Sequence, residues 1–338
     1  MDEQTKRGSA LLHTLLGLRI VATGGYAPPL VVTNEDLAHL GMDPEWIVQR
    51  TGIRERRHAP PEMATSDLCI AAARQCLERA GAQAGDVDLL VVGTFTPDHL
   101  ICSTAATVQD RLGIPSAAIE ISSACAGFVY ALATAAQFVA TGASRRALVI
   151  GADCNSRAID TSTPKSYPLF GDGAGAVLLE PGTPEQGLMA YTLGADGSGA
   201  KMLYKEMGGS RVPPSHEAID AGLNHLVMDG KGVFKWATRV LCDSILEVLA
   251  KARLELADID LFVLHQANQR IIDAAADHLG IDRARLPVNI DRYGNTSGGS
   301  VPLLLDEVCQ QGRIRPGDKI LMSGYGAGLS WGTAIFRW

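Results

Sequence analysis

Val87-Asp-Leu-Leu-Val-Val-Gly-Thr94 and Ile259-Asp-Leu-Phe-Val-Leu-His-Gln266 are two versions of one pattern. Each sets an aspartate before a short apolar run and then turns small or polar. A run that short, apolar at every position, marks a strand buried on both faces. Two more pairs repeat the relation. Arg146-Ala-Leu-Val-Ile-Gly151 matches Lys319-Ile-Leu-Met-Ser-Gly324, and Gly173-Ala-Gly-Ala-Val-Leu-Leu179 matches Gly326-Ala-Gly-Leu-Ser-Trp-Gly-Thr-Ala-Ile-Phe336. Amphipathic stretches at 67–80 and 233–252 stand between the apolar runs. Strands alternating with helices predict mostly parallel sheets with helices on their faces. The chain reads as two related α/β halves, with a repeat far too long for a solenoid.

Composition narrows the function classes. The 338 residues carry a net charge of −7, with no long block of one sign. A nucleic-acid binder would show a basic stripe, so that class is set aside. Seven cysteines, an odd number without a C-x-x-C pair, fit reduced thiols in a cytoplasmic protein and leave no zinc motif. No apolar run reaches the length of a membrane span. The stretch 11–16 is too short and interrupted for a signal peptide. Residues 194–232 are rich in Gly, Pro, Ser, His and Met with little period, and read as a long excursion near a site entrance.

The first half carries a candidate nucleophile. Ile121-Ser-Ser-Ala-Cys-Ala-Gly-Phe128 follows the apolar run 117–121. Phe128, Leu132, Ala135 and Val139 then recur at helical spacing, and Thr141-Gly142 closes the run. Cys125 therefore stands at a helix N-terminus, where unpaired N–H groups and the dipole favour a thiolate. Ala124, Ala126 and Gly127 leave room for a carbonyl to approach, and a thiolate so placed takes acyl groups. A buried apolar cysteine would give the same local sequence. In the second half, His265 ends the strand-like Leu261-Phe-Val-Leu264. Asn295 lies in the turn Gly294-Asn-Thr-Ser-Gly-Gly-Ser300, before a helical stretch at 301–308. Sites in open α/β sheets gather beyond the carboxyl ends of strands, where these three residues can converge.

Ala-Cys-Ala-Gly-Phe around Cys125, His-Gln-Ala-Asn at 265–268 and Gly-Asn-Thr-Ser at 294–297 resemble the signatures of β-ketoacyl-acyl carrier protein synthase III. Glu45-Trp-Ile-Val-Gln-Arg-Thr-Gly-Ile-Arg-Glu-Arg56, Gly171-Asp-Gly-Ala-Gly175 and Gly324-Tyr-Gly-Ala-Gly-Leu-Ser-Trp331 resemble it as well, so the likeness runs from about Leu18 to Trp338. The resemblance implies a thiolase-like, five-layered α-β-α-β-α fold from two duplicated halves. Residues 1–17 become an N-terminal extension, a loose tail or short surface helix. Residues 18–190 form the half with the nucleophile, and 191–338 the half with His and Asn.

The implied reaction is a decarboxylative condensation of an acyl-CoA primer with malonyl-acyl carrier protein, initiating fatty acid synthesis. No cofactor is implied beyond the coenzyme A thioester substrate, and no metal. Cys125, His265 and Asn295 are the implied catalytic residues. The backbone N–H groups of Cys125 and Ala327 form the implied oxyanion hole, with Ala327 where relatives often carry Gly. Trp46, Arg50, Phe234 and Asn268 match coenzyme A and pantetheine contacts. The adenine segment departs from the pattern: Ser162-Thr-Pro-Lys165-Ser offers one displaced base, and Arg157 fits a different position. Lys235, Arg239 and Arg270 are the implied carrier-protein docking residues, although a common Lys pair is Asp277-His278 here. The resemblance also implies a homodimer in which Ile101 closes the partner's acyl pocket. Bacterial enzymes preferring acetyl often hold Phe there, so Ile makes room for a slightly longer or branched primer. Cys154, Cys242 and Cys309 lie outside the motifs and read as structural.

Three other readings compete. A specialised acyltransferase or polyketide-priming synthase of the same superfamily would use the same Cys125. A Cys-His-Asn hydrolase would use the same residue types without releasing CO2. A dinucleotide module is disfavoured, because Gly171-Asp-Gly-Ala-Gly175 leads into a strand-like run, whereas a phosphate-cradling loop opens a helix.

Overall fold

A computed structural model describes residues 14–338. The first half contains strands β1 (Leu15–Leu16), β2 (Leu18–Tyr26), β3 (Leu30–Thr33), β4 (Glu55–His58), β5 (Leu89–Gly93), β6 (Ala117–Ile121), β7 (Ala147–Asp153) and β8 (Gly173–Pro181). Its helices are α1 (Pro44–Thr51), α2 (Thr65–Ala80), α3 (Thr104–Leu112) and α4 (Gly127–Ala140). The second half contains β9 (Gly187–Ala195), β10 (Leu203–Lys205), β11 (Leu226–Met228), β12 (Leu261–Leu264), β13 (Lys319–Gly326) and β14 (Ser330–Arg337). Its helices are α5 (His216–Asp220), α6 (Gly230–Ala252), α7 (Gln269–Leu279), α8 (Ile290–Tyr293) and α9 (Ser300–Gln310).

Two five-stranded sheets run in the orders β2-β8-β7-β5-β6 and β1-β9-β14-β13-β12. Helix α2 packs on the outer face of the first sheet, with α3 beside it, and α6 with α7 on the outer face of the second. Helices α4 and α9 lie between the sheets and touch both. These are the five layers of the thiolase-like fold. The apolar runs now have a reason. Leu89 and Val91 face the central helices while Leu90 and Val92 face α2. Leu261 and Val263 likewise face inward, and Phe262 and Leu264 face α6 and α7. Alternate residues thus serve two cores, and each buried side chain contributes about 1.5–3 kcal/mol over exposure.

The expectation of mostly parallel sheets needs correcting. β5 runs parallel to β6 and β7, and β12 to β13, but every other pair in the two sheets is antiparallel. The three residues between β13 and β14 cannot cross over a sheet, so that pair must be a hairpin. The expected division at 190 falls inside β9, which pairs along its length with β14. The chain passes between the sheets in the turn 182–186. Most of the expected N-terminal extension lies outside the described residues. Its Leu15 and Leu16 form β1, paired with Leu188 and Gly187 of β9.

The motif ending in Arg56 is partly structural. Arg56 is fully buried and donates to the carbonyls of Val32 (3.1 Å) and Pro168 (2.7 Å) and to Asn34 Oδ1 (2.8 Å). Burial lowers its pKa to about 10, which still leaves it charged at neutral pH. It ties the antiparallel β3–β4 pair to the loop before β8.

Candidate active site

Cys125 lies in a short 3-10 turn, Ala124–Ala126, between β6 and α4. Ala124 takes φ +45, a left-handed conformation that costs a residue with a Cβ about 1–3 kcal/mol. The strain turns the chain sharply at the strand end, and the Ala126 N–H closes the turn on the Ser123 carbonyl at 3.0 Å. β13 supplies the opposite wall. A Cβ on Gly326 would fall 2.9 Å from Cys125 Sγ, so only glycine lets the two backbones approach this closely. Ser330 Oγ donates to the Ser123 carbonyl at 3.1 Å and completes the clamp.

Asn295 is placed by backbone bonds to both neighbours. Its N–H donates to the Leu169 carbonyl (2.8 Å), and its carbonyl accepts from the Gly171 N–H (3.0 Å). The Gly171-Asp-Gly-Ala-Gly175 motif serves this packing. A Cβ at Gly171 would lie 2.1 Å from the Tyr293 carbonyl oxygen, and one at Gly175 2.4 Å from the Pro302 backbone. The motif is a close-approach surface under the Asn295 turn, not a phosphate cradle. Asn295 Oδ1 accepts from the Ser297 N–H at 2.9 Å, which leaves the amide NH2 as the end able to donate.

His265 continues the β12 ladder, its N–H donating to the Ser323 carbonyl at 2.8 Å. The Gln266 N–H then donates to Ser300 Oγ at 2.8 Å and turns the chain. The imidazole is 1% exposed and meets the Tyr325 ring edge-on at 5.3 Å between centroids. Among the described residues, neither His265 Nδ1 nor the Tyr325 hydroxyl has a hydrogen-bond partner. Burial lowers the His265 pKa to about 3, so the ring is neutral and donates through a single N–H.

A cleft of about 1070 Å³ opens onto Cys125, Ser297 and Ala327. His265 and Asn295 are not among its lining residues. They reach Cys125 through buried neighbours: Asn295 through Ser297, whose Oγ lies 3.2 Å from Cys125 Sγ, and His265 through Tyr325, next to Gly326. The expected excursion builds one wall with Leu203, Tyr204, Met207 and Leu226. It is ordered, with β10 and β11 paired antiparallel. Cys154 also lines the cleft, with its thiol toward Asp172 at 3.7 Å.

The resting charge of Cys125 differs from the expectation. Burial pushes the thiol up to about 12, the Ser297 hydroxyl opposes that, and the Asp153 carboxylate adds to it. Desolvation of the covered thiol outweighs the pull of the helix N-terminus at this turn.

The entrance residues gather in one place. Arg50 lies over the half-exposed Trp46 ring at 5.6 Å. Asn268 caps α7, accepting from the Arg270 N–H (2.9 Å) and donating to the Arg50 carbonyl (3.2 Å). Arg270 in turn lies over the Phe234 ring at 5.6 Å. Lys235 is exposed nearby. Arg239 instead shares a shallow groove with Asp196, Asp243 and Glu247, which offset its charge. Arg157 lines the cleft and donates to the Pro60 carbonyl at 2.8 Å. Ile101 is 91% exposed and does not line the cleft.

Residues 119–197 match the family model of 3-oxoacyl-acyl carrier protein synthase III, and 249–338 match the model of its C-terminal part. The chain is 51% identical to β-ketoacyl-acyl carrier protein synthase III of Rhodopirellula baltica, over 97% of this chain and all of the relative. The chain belongs to this synthase III family. It is a transferase, the condensing enzyme that initiates fatty acid synthesis. The synthase III of Thermus thermophilus superposes with a TM-score of 0.89 at 44% identity, covering 94% of this chain and 98% of that one. The priming β-ketosynthase of the R1128 polyketide pathway superposes with a TM-score of 0.88 at 34% identity, covering 97% and 98%. The hydrolase and dinucleotide readings fall away with this membership.

Sequence reading of this synthase missed three residues. Ser297 touches the sulfur, but its motif drew attention to Asn295. Asp153 ends an otherwise apolar strand, a signal that was available. Its Oδ1 accepts from Thr94 Oγ1, Phe95 N–H and Thr96 Oγ1, each at 2.9 Å, and its Oδ2 from the Gly298 N–H at 2.8 Å. Tyr325 was read only as part of a Gly-rich run.

Proposed function

We propose that the cleft receives an acyl-CoA primer, that Cys125 takes its acyl group, and that malonyl-acyl carrier protein then condenses with it. The observation that carries this is the meeting of the Cys125 turn, the Asn295–Ser297 turn and the Gly326–Ala327 strand end at one cleft. In the first stage the sulfur attacks the thioester carbonyl, and the thiol proton leaves on coenzyme A. The N–H groups of Cys125 and Ala327 hold the developing oxyanion. In the second stage the malonyl C–C bond breaks, CO2 leaves, and the electron pair builds charge on the thioester oxygen. His265 and the Asn295 amide donate to that oxygen. A histidine held neutral by burial suits this role, because it donates without surrendering its proton. The carbanion attacks the acyl-Cys carbonyl, the C–S bond breaks with its electron pair going to the Cys125 sulfur, the sulfur takes a proton from solvent, and a 3-oxoacyl product leaves.

Trp46, Arg50, Phe234 and Asn268 are read as the coenzyme A and pantetheine contacts, supported by their clustering. Lys235 and Arg270 are read as docking residues for the acidic carrier protein, with Arg239 a weaker member because of its carboxylate neighbours. The exposed Leu100 and Ile101 support a homodimer in which Ile101 enters the partner's acyl pocket. Seven free thiols support a cytoplasmic setting. The division into an N-terminal extension and two thiolase-like halves is kept, with the seam moved to the turn 182–186.

Single-turnover mass spectrometry with a panel of acyl-CoA primers, followed by malonyl-acyl carrier protein, tests the reading. Acyl-Cys125, then CO2 and a 3-oxoacyl product, is the expected result; a Cys125 that no primer acylates would overturn it. The structural likeness to a polyketide-priming ketosynthase supports a second reading. Preference for a carrier protein of a specialised pathway over that of fatty acid synthesis would favour it. Ile101 leads us to expect short branched primers to compete with acetyl, and strict acetyl preference would contradict that.

A further inference from the structure

We propose that Ser297 is a catalytic residue of acyl transfer, its hydroxyl donating a hydrogen bond to the Cys125 sulfur as the thiolate forms. This rests on the reading of Cys125 as the nucleophile. Three observations carry it. The Ser297 Oγ to Cys125 Sγ distance is 3.2 Å, within reach of an O–H···S bond. Ser297 takes φ +51 with a Cβ present, where glycine would be unstrained, and two glycines follow it directly. A side chain kept at a strained position needs a use for its atoms. Third, the hydroxyl does nothing else: the turn is held by main-chain bonds from Ser297 N–H to Asn295 Oδ1 and from Gly298 N–H to Asp153 Oδ2. Among the described residues the sulfur is the hydroxyl's one hydrogen-bond partner.

The chemistry asks for such a donor. The buried thiol must lose its proton for the S–C bond to form, and desolvation opposes the resulting anion. The titratable groups around the sulfur do not help. Asp153 on β7 is a carboxylate, Tyr325 on β13 a neutral phenol, Cys154 a neutral thiol, and His265 just after β12 a neutral imidazole. Ser297 is the dipole left to face the forming charge. It is not consumed: as the thiolate attacks, the acyl C–S bond to coenzyme A breaks, and the proton from Cys125 ends on the coenzyme A sulfur. The same hydroxyl is free to release the sulfur once it is a neutral thioester.

The test reads the thiol without any primer. Iodoacetamide alkylation of Cys125 is followed by peptide mass spectrometry in wild type, Ser297→Ala and Ser297→Gly, from pH 7 to 9. Losing a charge-assisted bond should slow alkylation about tenfold or more at each pH in both variants. Ser297→Gly should also melt no lower than wild type, because it relieves the backbone, which separates loss of the hydroxyl from loss of fold. Primer acylation should fall in parallel while the KM for malonyl-acyl carrier protein holds. Folded variants that alkylate at the wild-type rate would overturn the proposal. Slowed alkylation in a protein that accepts no primer would keep the Ser297–Cys125 bond and sink only the function it serves.

Discussion

Replacing Gly326 with alanine puts the closest contact of the site under direct strain. The new Cβ would stand 2.9 Å from Cys125 Sγ, 3.0 Å from its Cβ and 3.1 Å from its N. Neither backbone can yield easily. Gly326 is paired with Ser330 at the end of β13, and the Cys125 turn is held by the Ala126–Ser123 bond and by Ser330 Oγ. The sulfur must therefore retreat by about 0.5–1 Å to regain an ordinary contact of roughly 3.5–4 Å. Overpacking of this kind costs about 1–3 kcal/mol of stability. The larger effect falls on chemistry, since a misplacement near 1 Å costs about 10²-fold in rate. We expect Gly326→Ala to cut the acylation kcat/KM by about 10- to 100-fold while remaining folded. Rapid-quench acylation with intact-mass detection reads the rate, and thermal melting reads the fold. Gly85→Ala is the control, since its Cβ meets nothing within 4 Å. A Gly326→Ala variant that acylates at the wild-type rate would refute the packing argument.

Asn295→Ala should leave acylation of Cys125 within a few-fold and slow CO2 release from malonyl-acyl carrier protein by about 10²–10³; equal losses in both half-reactions would show that Asn295 acts before condensation. His265, with a pKa lowered to about 3, should add no titration to the decarboxylation rate between pH 5 and 8. A limb near pH 6.5 that disappears in His265→Asn would contradict this. The same shift makes His265 stabilise the fold fully above pH 6.5 and less as pH falls toward about 3, a slope that chemical denaturation can measure. Asp153→Asn removes an acceptor shared by Thr94 and Gly298 but also a buried charge, so it should destabilise the protein by about 1–3 kcal/mol near pH 4, where the wild-type carboxyl is neutral, and by less as pH rises through about 6. A variant with unchanged stability would mean that the Gly298 turn holds itself.

The strands were legible because their burial is local. Leu89 to Val92 and Leu261 to Leu264 face a core on each side, and a run apolar at every position records that. Cys125 and Asn295 stood out because each sits in a turn of small residues, and His265 because it ends a buried strand; their roles came from the resemblance. The Gly171–Gly175 motif was visible but its purpose was not, since that depends on Tyr293 and Pro302 arriving from more than 100 residues away. The charge state of Cys125 was misjudged for the same reason: a dipole can be read from a helix start, whereas desolvation depends on what covers the turn. Arg239 was counted as basic surface because it falls one turn after Lys235, yet Asp243 and Glu247 follow it on the same face of α6 and Asp196 joins them across the groove. Leu15 and Leu16 gave no strand signal, and their pairing with β9 is decided by the partner edge.

The duplicated fold explains why the site needs both halves. Each half begins its central helix, α4 or α9, beside the other half, and the turns before those helices meet. One turn contributes the sulfur and the other the Asn295 amide and the Ser297 hydroxyl. Something must hold the turns in register, and Asp153 does so by joining β7 and the Thr94–Thr96 segment to Gly298. The contact is tight, since a Cβ on Gly298 would fall 2.9 Å from Asp153 Oδ2. Burial raises the Asp153 pKa to about 6 despite its donors. Its folded value lies above the unfolded one, so the stability it lends is whole below about pH 3.8 and is lost as pH rises through about 6. At neutral pH the ionised group therefore lowers the stability of the fold relative to an unshifted carboxylate. A residue kept at such a cost where the two halves meet is explained by what it positions. Without it, Gly298 and the Ser297 hydroxyl beside Cys125 would lose this tie, leaving the Asn295 bonds to Leu169 and Gly171 to hold the turn.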